Sequence, residues 1–166
     1  MEPMTELELA IRLATQYHKG QTDKGGKPYI THPLAVMQIL LNGGCSNEEV
    51  LSVAVLHDVL EDCNVSTIDL QDQGVSGTGI TALIALTKGK EEKYWDYIER
   101  VKVNYVARQV KLADLKHNSE LERLYETGDE DFVSIAGRYA KAYYILRDWE
   151  DNHVKEKIGG GTICKV

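Results

Sequence analysis

Residues 50–62, VLSVAVLHDVLED, join an apolar segment to a cluster of four ionisable side chains. Six of the first seven residues are apolar, which predicts a helix buried over most of its surface. The segment ends with His57, Asp58, Glu61 and Asp62. On one continuous helix over 47–62, residues four positions apart share a face, so the two such pairs in this cluster would be neighbours. The sequence therefore predicts a contiguous polar patch at the carboxyl end of a buried helix.

Such a patch is unfavourable without a compensating charge. Carboxylates near a helix carboxyl terminus oppose the macrodipole by about 0.3–1 kcal/mol each. Burying an unpaired charge beside apolar neighbours costs several kcal/mol more. A bound cation would offset both costs. The alternative is a helix end that reaches the surface, where water solvates the acids, and periodicity alone does not decide between the two.

Helix signals extend over most of the chain. Capping-box patterns occur at Thr5 with Glu8, Ser46 with Glu49, and Ser66 with Asp69. Pro33 suits the first turn of a helix that ends at Gly43. Further helices are predicted over about 79–87, 91–103 and 105–124, and from near Asp129 to about Trp149. No convincing strand pattern occurs, so the predicted fold class is all-α, with about seven helices and short loops.

Composition limits the class of protein. The chain has 166 residues, of which 43% are hydrophobic, enough for one globular domain. A net charge of −7 argues against a nucleic-acid coat or a general binder of anionic membranes. No apolar run approaches the roughly 20 residues of a membrane span, and no signal peptide is recognised. Three cysteines without CxxC spacing favour a reducing compartment, so we predict unpaired cysteines and a cytoplasmic location.

Two further residues extend the polar cluster. His32 opens a predicted helix in YITHPLAVM, and Asp114 interrupts an apolar helix in VKLADLKHN. Each has an ordinary explanation when taken alone: a histidine before proline is commonly a cap or loop residue, and an acid within a helix is commonly exposed. Together with His57 and Asp58 they form a set of two imidazoles and two carboxylates. Such a set suits Mn, Fe, Zn or Ni better than Ca.

The pattern H…HD…D resembles the ligand pattern of the HD-domain metal-dependent phosphohydrolases. The stretches GKPYITHPLAVMQIL, AVLHDVLED and VKLADLKHN are similar to the (p)ppGpp hydrolase domain of RelA/SpoT-type enzymes and their small stand-alone relatives. With the first helix and YWDYIERV, the resemblance covers about residues 5–125. HD alone is a weak signal, whereas HD followed by ED, with PYIxHP upstream and KLADxxxN downstream, is specific. The resemblance implies a single compact HD domain, placed at 1–158, and a tail at 159–166.

The resemblance also implies roles for individual residues. One divalent metal, typically Mn²⁺ in this branch, with Fe, Zn or Ni as alternatives, would be held by His32, His57, Asp58 and Asp114. Glu61 and Asp62 match the pair that orients or activates the attacking water. Lys24 and Asn118 match residues near the substrate, and Lys111 is a further basic candidate for substrate binding. Arg108, Lys111 and Lys116, which flank Asp114 in sequence, and the lysines of loop 19–30 would attract an anion to this acidic protein.

The implied activity is hydrolysis of guanosine 3′,5′-bis(diphosphate), ppGpp, to GDP and pyrophosphate. Asp23 stands where the family usually has arginine, and this departure favours a different nucleotide or phosphoester as the alternative substrate. A nucleotide-sensing module without turnover ranks third, because all six metal and water-handling residues are present. The expected partner is a small anionic nucleotide, with no nucleic acid and no membrane, and the oligomeric state is not predicted.

Several other residues are interpreted as structural. His18, His117 and His153 are interpreted as ordinary histidines, and Tyr94 as a packing residue. Tyr139 is expected to pack as well, with a place at the pocket edge as the alternative.

Overall fold

The computed structural model describes residues 3–126, 128, 132–153, 164 and 166. In chain order these residues form α1 Glu6–Tyr17, α2 Thr31–Asn42, α3 Glu48–Leu56, α4 Val59–Asp62, α5 Thr67–Asp72, α6 Gly77–Leu86, α7 Tyr94–Val103, α8 Tyr105–Asn118, α9 Leu121–Glu126 and α10 Phe132–His153. Within the same residues the only strand-like pairing is an isolated bridge between Thr22 and Pro28. The predicted all-α class is confirmed. No helix in the described part of the chain has the length and apolar character of a membrane span.

Two of the three predicted capping boxes begin helices, those of α1 and α5. The third is predicted at Ser46, but Asn47 caps α3 instead, so that prediction is wrong. The Asn47 side-chain oxygen accepts hydrogen bonds from the backbone N–H groups of Glu49 and Val50. Asparagine is as good a cap as serine, and here it satisfies two otherwise unpaired backbone donors at once.

The predicted helix over 47–62 is wrong as a single element, because it breaks within the polar cluster. His57 and Asp58 form a turn between the end of α3 and the start of α4. The backbone at Asp58, with φ −97° and ψ −5°, departs from regular helical values and opens the ladder of hydrogen bonds. Asp58 Oδ2 thereby lies 3.1 Å from His57 Nε2. Consecutive side chains on a regular helix do not face each other in this way.

A second break divides the predicted helix 105–124 into α8 and α9. Ser119 ends α8, and its hydroxyl donates a hydrogen bond to the Leu115 carbonyl oxygen at 2.6 Å. These two breaks explain most of the difference between the helices predicted and those described. The predicted start of the last helix, near Asp129, lies outside the described residues, as does most of the tail at 159–166.

The core is centred on α3 and α8. Residues 50–56 of α3 are all buried, and α8 is buried on most of its surface. α3 packs against α1, α2 and α8, while α8 also packs against α2, α6, α7 and α10. α2, α3 and α8 therefore meet in the interior, and each of these helices, or the turn that follows it, carries at least one of the predicted metal ligands.

The prediction of unpaired cysteines is wrong for two of the three. Cys45, between α2 and α3, forms a disulfide with Cys164, and among the described residues Cys63 is the free cysteine. The two paired residues are 119 positions apart, so no local spacing could signal the bond. Both cysteines are buried, and the bond joins Cys164 to the turn between α2 and α3. Nearby, the Tyr143 hydroxyl donates a hydrogen bond to the Val166 carbonyl oxygen at 2.9 Å.

Candidate metal centre

Four polar side chains meet where α2, α3 and α8 pack together. His32 lies in the first turn of α2, His57 and Asp58 lie in the turn after α3, and Asp114 lies on α8. His32 Nε2 is 3.1 Å from Asp114 Oδ1 and 3.5 Å from Asp58 Oδ2. His57 Nε2 is 3.1 Å from Asp58 Oδ2 and 3.6 Å from Asp114 Oδ1. The structure thus brings the four predicted ligands together, with each nitrogen facing both oxygens.

These distances fit a metal ion. Ligands about 2.1 Å from an ion lie about 3.0 Å apart at adjacent octahedral positions and about 3.4 Å apart at tetrahedral positions. Potential ligand atoms of His32, His57 and Asp58 all lie within 4.8 Å of one another, and Asp114 adjoins both histidines. His57 Nε2 is buried without a hydrogen-bond partner, a state that a metal ion would relieve. The mixed nitrogen and oxygen donors suit several transition metals and do not single one out.

The ring of His57 is held in the orientation that a ligand needs. Its Nδ1 lies 2.7 Å from the Ala54 carbonyl oxygen, which only accepts hydrogen bonds. The Nδ1 atom therefore carries the proton and donates it to that oxygen. In the neutral ring Nε2 keeps a lone pair, and this lone pair is available to the metal.

Both carboxylates of the cluster are also held by hydrogen bonds. The Tyr29 hydroxyl donates to Asp58 Oδ2 at 2.7 Å. Asp114 accepts from Lys111 Nζ at its Oδ2 and from Asn118 Nδ2 at its Oδ1, each at 2.7 Å. Lys111 and Asn118 are predicted from the sequence as substrate contacts. In the structure both residues donate hydrogen bonds to Asp114 and line a cavity. Contact with a substrate is not tested by this geometry and stays a prediction.

Mutual attraction sets the ionisation of the cluster. Burial by itself disfavours the charged form of each group, but the neighbouring charges outweigh it. Asp58 and Asp114 raise the pKa of His57 well above its usual range, and His57 in turn lowers the pKa of Asp58 to about 2. Lys111 contributes most to holding the pKa of Asp114 well below its usual value. Because a proton and a metal ion compete for the lone pair of His57, metal affinity is expected to fall as the pH is lowered.

Glu61 and Asp62 lie on α4, one turn beyond the ligands. Partial burial raises the pKa of both carboxyl groups, and the nearby Asp58 carboxylate adds to the effect. A carboxylate with a raised pKa is a better proton acceptor near neutral pH than an ordinary one. Their position beside the ligand set, on a separate helix, suits the predicted role of handling water.

Two cavities adjoin the centre and share Asn118 and Tyr139 as a common wall. The first, of about 310 Å³, is lined by Thr22, Asp23, Lys24, Tyr29, Asn118, Arg123, Glu126 and Tyr139. The second, of about 330 Å³, is lined by Glu61, Lys88, Tyr94, Tyr97, Lys111, Asn118, Arg138 and Tyr139. The first cavity has two acids and two bases in its wall, whereas the second has three basic residues and one acid, Glu61.

Several residues around the centre are not predicted from the sequence. Lys88 and Arg138 lie in no motif, and they reach the second cavity from just after the end of α6 and from α10. Tyr94, interpreted as a packing residue, lines that cavity with a buried hydroxyl that has no hydrogen-bond partner. Tyr139 lines both cavities, in agreement with the second interpretation of this residue, a place at the pocket edge. Arg108, expected to attract an anion, is instead buried 3.6 Å from Glu150.

Known proteins resemble this chain over the same region. A sequence profile described as the HD domain matches residues 10–95, slightly more than half of the chain. A GTP pyrophosphokinase of Streptomyces coelicolor is 35% identical over 130 residues, covering 72% of this chain and 15% of that protein. A guanosine-3′,5′-bis(diphosphate) 3′-pyrophosphohydrolase of Vibrio cholerae is 46% identical over 70 residues, covering 42% and 10%. The bifunctional (p)ppGpp synthase/hydrolase SpoT of Escherichia coli is 32% identical over 129 residues, covering 70% and 18%.

The chain spans less than a fifth of the length of these relatives. A solved structure described as a metazoan ortholog of SpoT that hydrolyses ppGpp has a TM-score of 0.62 and 20% identity, and the match covers 91% of this chain and 97% of that one. At this identity the likeness shows a shared fold. The profile match contains His32, His57 and Asp58, three of the four residues that meet in the candidate metal centre. The sequence match, the shared fold and the clustered histidines and aspartates agree, and the chain belongs to the HD domain family.

Proposed function

We propose that this chain is a metal-dependent phosphohydrolase that cleaves ppGpp to GDP and pyrophosphate. The observation that carries the proposal is the set of two histidines and two aspartates, with distances of 3.1–3.6 Å between nitrogen and oxygen, beside a cavity with three cations. The names of the Vibrio cholerae and Escherichia coli relatives support this substrate. We also propose Mn²⁺ as the metal, with Fe, Zn and Ni as alternatives. We keep the proposal of a cytoplasmic location, although the Cys45–Cys164 disulfide removes the support that the cysteine pattern gave it.

In the proposed mechanism His32, His57, Asp58 and Asp114 would hold the ion, which would supply a water molecule of lowered pKa and a positive charge to polarise a phosphoryl oxygen. Glu61 and Asp62 align the attacking water, and one of the two accepts its proton. The water oxygen forms a bond to the phosphorus of the 3′-diphosphate, and the bond between that phosphorus and the ribose 3′ oxygen breaks. The 3′ oxygen takes up a proton to become the hydroxyl of GDP, and the diphosphate leaves as pyrophosphate. Lys111 both orients Asp114 and adds positive charge where the phosphates lie.

The two cavities suit the two kinds of chemistry in a nucleotide. Lys88, Lys111 and Arg138 line the second cavity, where their charges favour phosphate groups. Lys24 and Asn118 line the first cavity, which we assign to the base and ribose. Because Asn118 and Tyr139 line both cavities, one ligand can lie across the boundary and occupy both.

The Asp23 carboxylate has two partners within the protein. Its Oδ1 accepts a hydrogen bond from the Lys27 backbone N–H at 2.8 Å, and its Oδ2 lies 3.9 Å from Arg123 Nη1 on α9. The first cavity therefore keeps a guanidinium group although position 23 is acidic. The acids Asp23 and Glu126 in the same wall motivate the second candidate, hydrolysis of another nucleotide or phosphoester. A sensing module without turnover ranks third.

A substrate panel tests the proposal directly. Purified full chain with Mn²⁺ is expected to convert ppGpp to GDP and pyrophosphate, and chelation of the metal is expected to stop the reaction. GTP, GDP and a nucleoside 3′-monophosphate serve as comparison substrates, with products separated by anion-exchange chromatography. Turnover of a comparison substrate with ppGpp left intact would replace the proposed substrate. Binding of ppGpp without any turnover would favour the sensing module.

Arg138→Gln is expected to raise the KM for ppGpp by about 10- to 100-fold, because a hydrogen bond from a charged group contributes about 1.5–3 kcal/mol. Arg138 stands over the Tyr94 and Tyr139 rings, at 5.1 and 5.8 Å, and forms no ion pair with a carboxylate of the described residues. Its charge is therefore available to a phosphate. Steady-state kinetics at several Mn²⁺ concentrations measure the KM. Arg12→Gln, on the exposed side of α1, is the control and is expected to leave the KM unchanged. An unchanged KM would remove Arg138 from the substrate site.

A further inference from the structure

His117 makes a direct contact with one of the predicted metal ligands. It lies on α8, almost one turn after Asp114, and its side chain is 13% exposed. Its Nδ1 atom is 2.7 Å from Nδ1 of His32. The two ring planes are 20° apart and their centroids are 4.9 Å apart, whereas the rings of Trp149 and His153 stack face to face at 3.7 Å. The contact between the two histidines is therefore a hydrogen bond between ring edges.

The chemistry of the centre decides which ring donates. Two ring nitrogens at hydrogen-bond distance share one proton, because two N–H groups would repel each other and two lone pairs would form no bond. His32 Nε2 faces Asp58 and Asp114, so this atom carries the lone pair that binds a metal. A neutral His32 then holds its proton on Nδ1 and donates it to His117. His117 is the acceptor, with its own proton on Nε2, 3.8 Å from Glu120 Oε2.

The contacts of His117 place it beside the centre, with both ring nitrogens near other side chains. Its Nδ1 faces the His32 ring, and its Nε2 lies 3.8 Å from Glu120 Oε2. It lines a further cavity, of about 250 Å³, whose wall shares Asp23, Arg123 and Glu126 with the first cavity. The Nδ1 contact is therefore the interaction that joins His117 to the candidate metal centre.

We propose that His117 is a positioning residue for the metal ligand His32. Its Nδ1 lone pair fixes the His32 ring in the Nδ1–H tautomer and points Nε2 at the metal. His57 obtains the same support from the Ala54 carbonyl oxygen, so each histidine ligand has its own acceptor. The inference rests on the proposed metal centre but not on the identity of the substrate. Loss of such an acceptor typically weakens metal binding by about 10- to 100-fold.

Three substitutions separate hydrogen bonding from packing. Asparagine at position 117 places its amide oxygen near the site of the histidine Nδ1, glutamine places it near Nε2, and leucine fills the space without an acceptor. Mn²⁺ affinity of the full chain is measured by competition with a chelator, and thermal unfolding of the metal-free chain monitors folding. We expect His117→Asn to bind Mn²⁺ nearly as tightly as wild type, and His117→Gln and His117→Leu to bind about 10- to 100-fold more weakly. His153→Asn is the control.

The comparison of the two amides decides the outcome even where the leucine variant fails to fold. Equal affinities of the asparagine and glutamine variants would overturn the proposal, since an acceptor at the Nδ1 position would then have no special effect. A leucine variant that folds and binds Mn²⁺ like wild type would overturn it as well. A wild-type chain that binds no Mn²⁺ would overturn both this inference and the metal centre. Normal Mn²⁺ binding without ppGpp turnover would leave the inference standing and reject only the proposed function.

Discussion

Asp58→Ala is expected to lower the rate of ppGpp hydrolysis by about 1000-fold or more, the equivalent of losing about 4 kcal/mol of transition-state stabilisation. Asp58 Oδ2 lies within 3.5 Å of Nε2 of both ligand histidines, so its removal takes one of four ligands and one of two negative charges from the centre. The remaining imidazoles then have Asp114 alone as a carboxylate neighbour. We expect the Mn²⁺ content after dialysis to fall together with the activity.

Elemental analysis of the dialysed protein and an assay of released pyrophosphate measure the two effects. Asp72→Ala, at the exposed carboxyl end of α5, is the matched control and is expected to retain both metal and activity. Asp58→Asn keeps an oxygen that accepts from the Tyr29 hydroxyl, and it tests the loss of charge in a chain with little structural change. Full metal content in both Asp58 variants would remove this residue from the ligand set.

Glu61→Gln is expected to lower kcat by about 100- to 10,000-fold, which is the usual contribution of a positioned proton acceptor. The substitution preserves the shape of the side chain but removes its ability to accept a proton. Glu61 lies on α4, beyond the turn that holds His57 and Asp58, so the metal content is expected to stay unchanged. A loss of kcat at full metal occupancy would separate the chemistry from metal binding, which no substitution of a ligand can do.

Steady-state kinetics at saturating Mn²⁺ with parallel metal analysis give this result. Glu99→Gln on α7 removes a carboxylate from an exposed site and is expected to leave kcat unchanged. Asp62→Asn in the same assay shows which of the two carboxylates accepts the proton. The role of Glu61 would be contradicted by a kcat within a few fold of wild type, or by a loss of metal equal to that of Asp58→Ala.

The helical class and the identity of the clustered residues are predictable because their signals are local. Capping boxes, apolar periodicity and the short motifs around His32, His57 and Asp114 each depend on a few neighbouring residues. The turn at His57 and Asp58 is not predictable from periodicity, since the apolar pattern continues through it and favours an unbroken helix. Periodicity thus places His57 and Asp58 in one segment but predicts the wrong local geometry for them. An unbroken helix would have separated His57 from Asp58 by about 100° around its axis.

The surroundings of the centre are not predictable, because they depend on contacts between distant parts of the chain. His117 has the sequence context of an ordinary helical histidine, and only the packing of α2 on α8 brings it to His32. Asp23 is unusual for the family when viewed alone, and its partner Arg123 lies 100 positions later on another helix. The Cys45–Cys164 disulfide is a third case, for which no pattern in the sequence indicates a partner.

Asn118, in the wall common to both cavities, has most of its hydrogen-bonding capacity occupied within the protein. Its amide oxygen accepts from Nε and Nη2 of Arg123, at 3.2 and 3.0 Å, and these two bonds use both lone pairs. One of its two N–H groups is given to Asp114. A single N–H remains for the cavities, so the side chain can donate there but cannot accept. A ligand that presents an oxygen or an unprotonated ring nitrogen at this point gains a hydrogen bond, whereas one that presents an N–H group meets another donor.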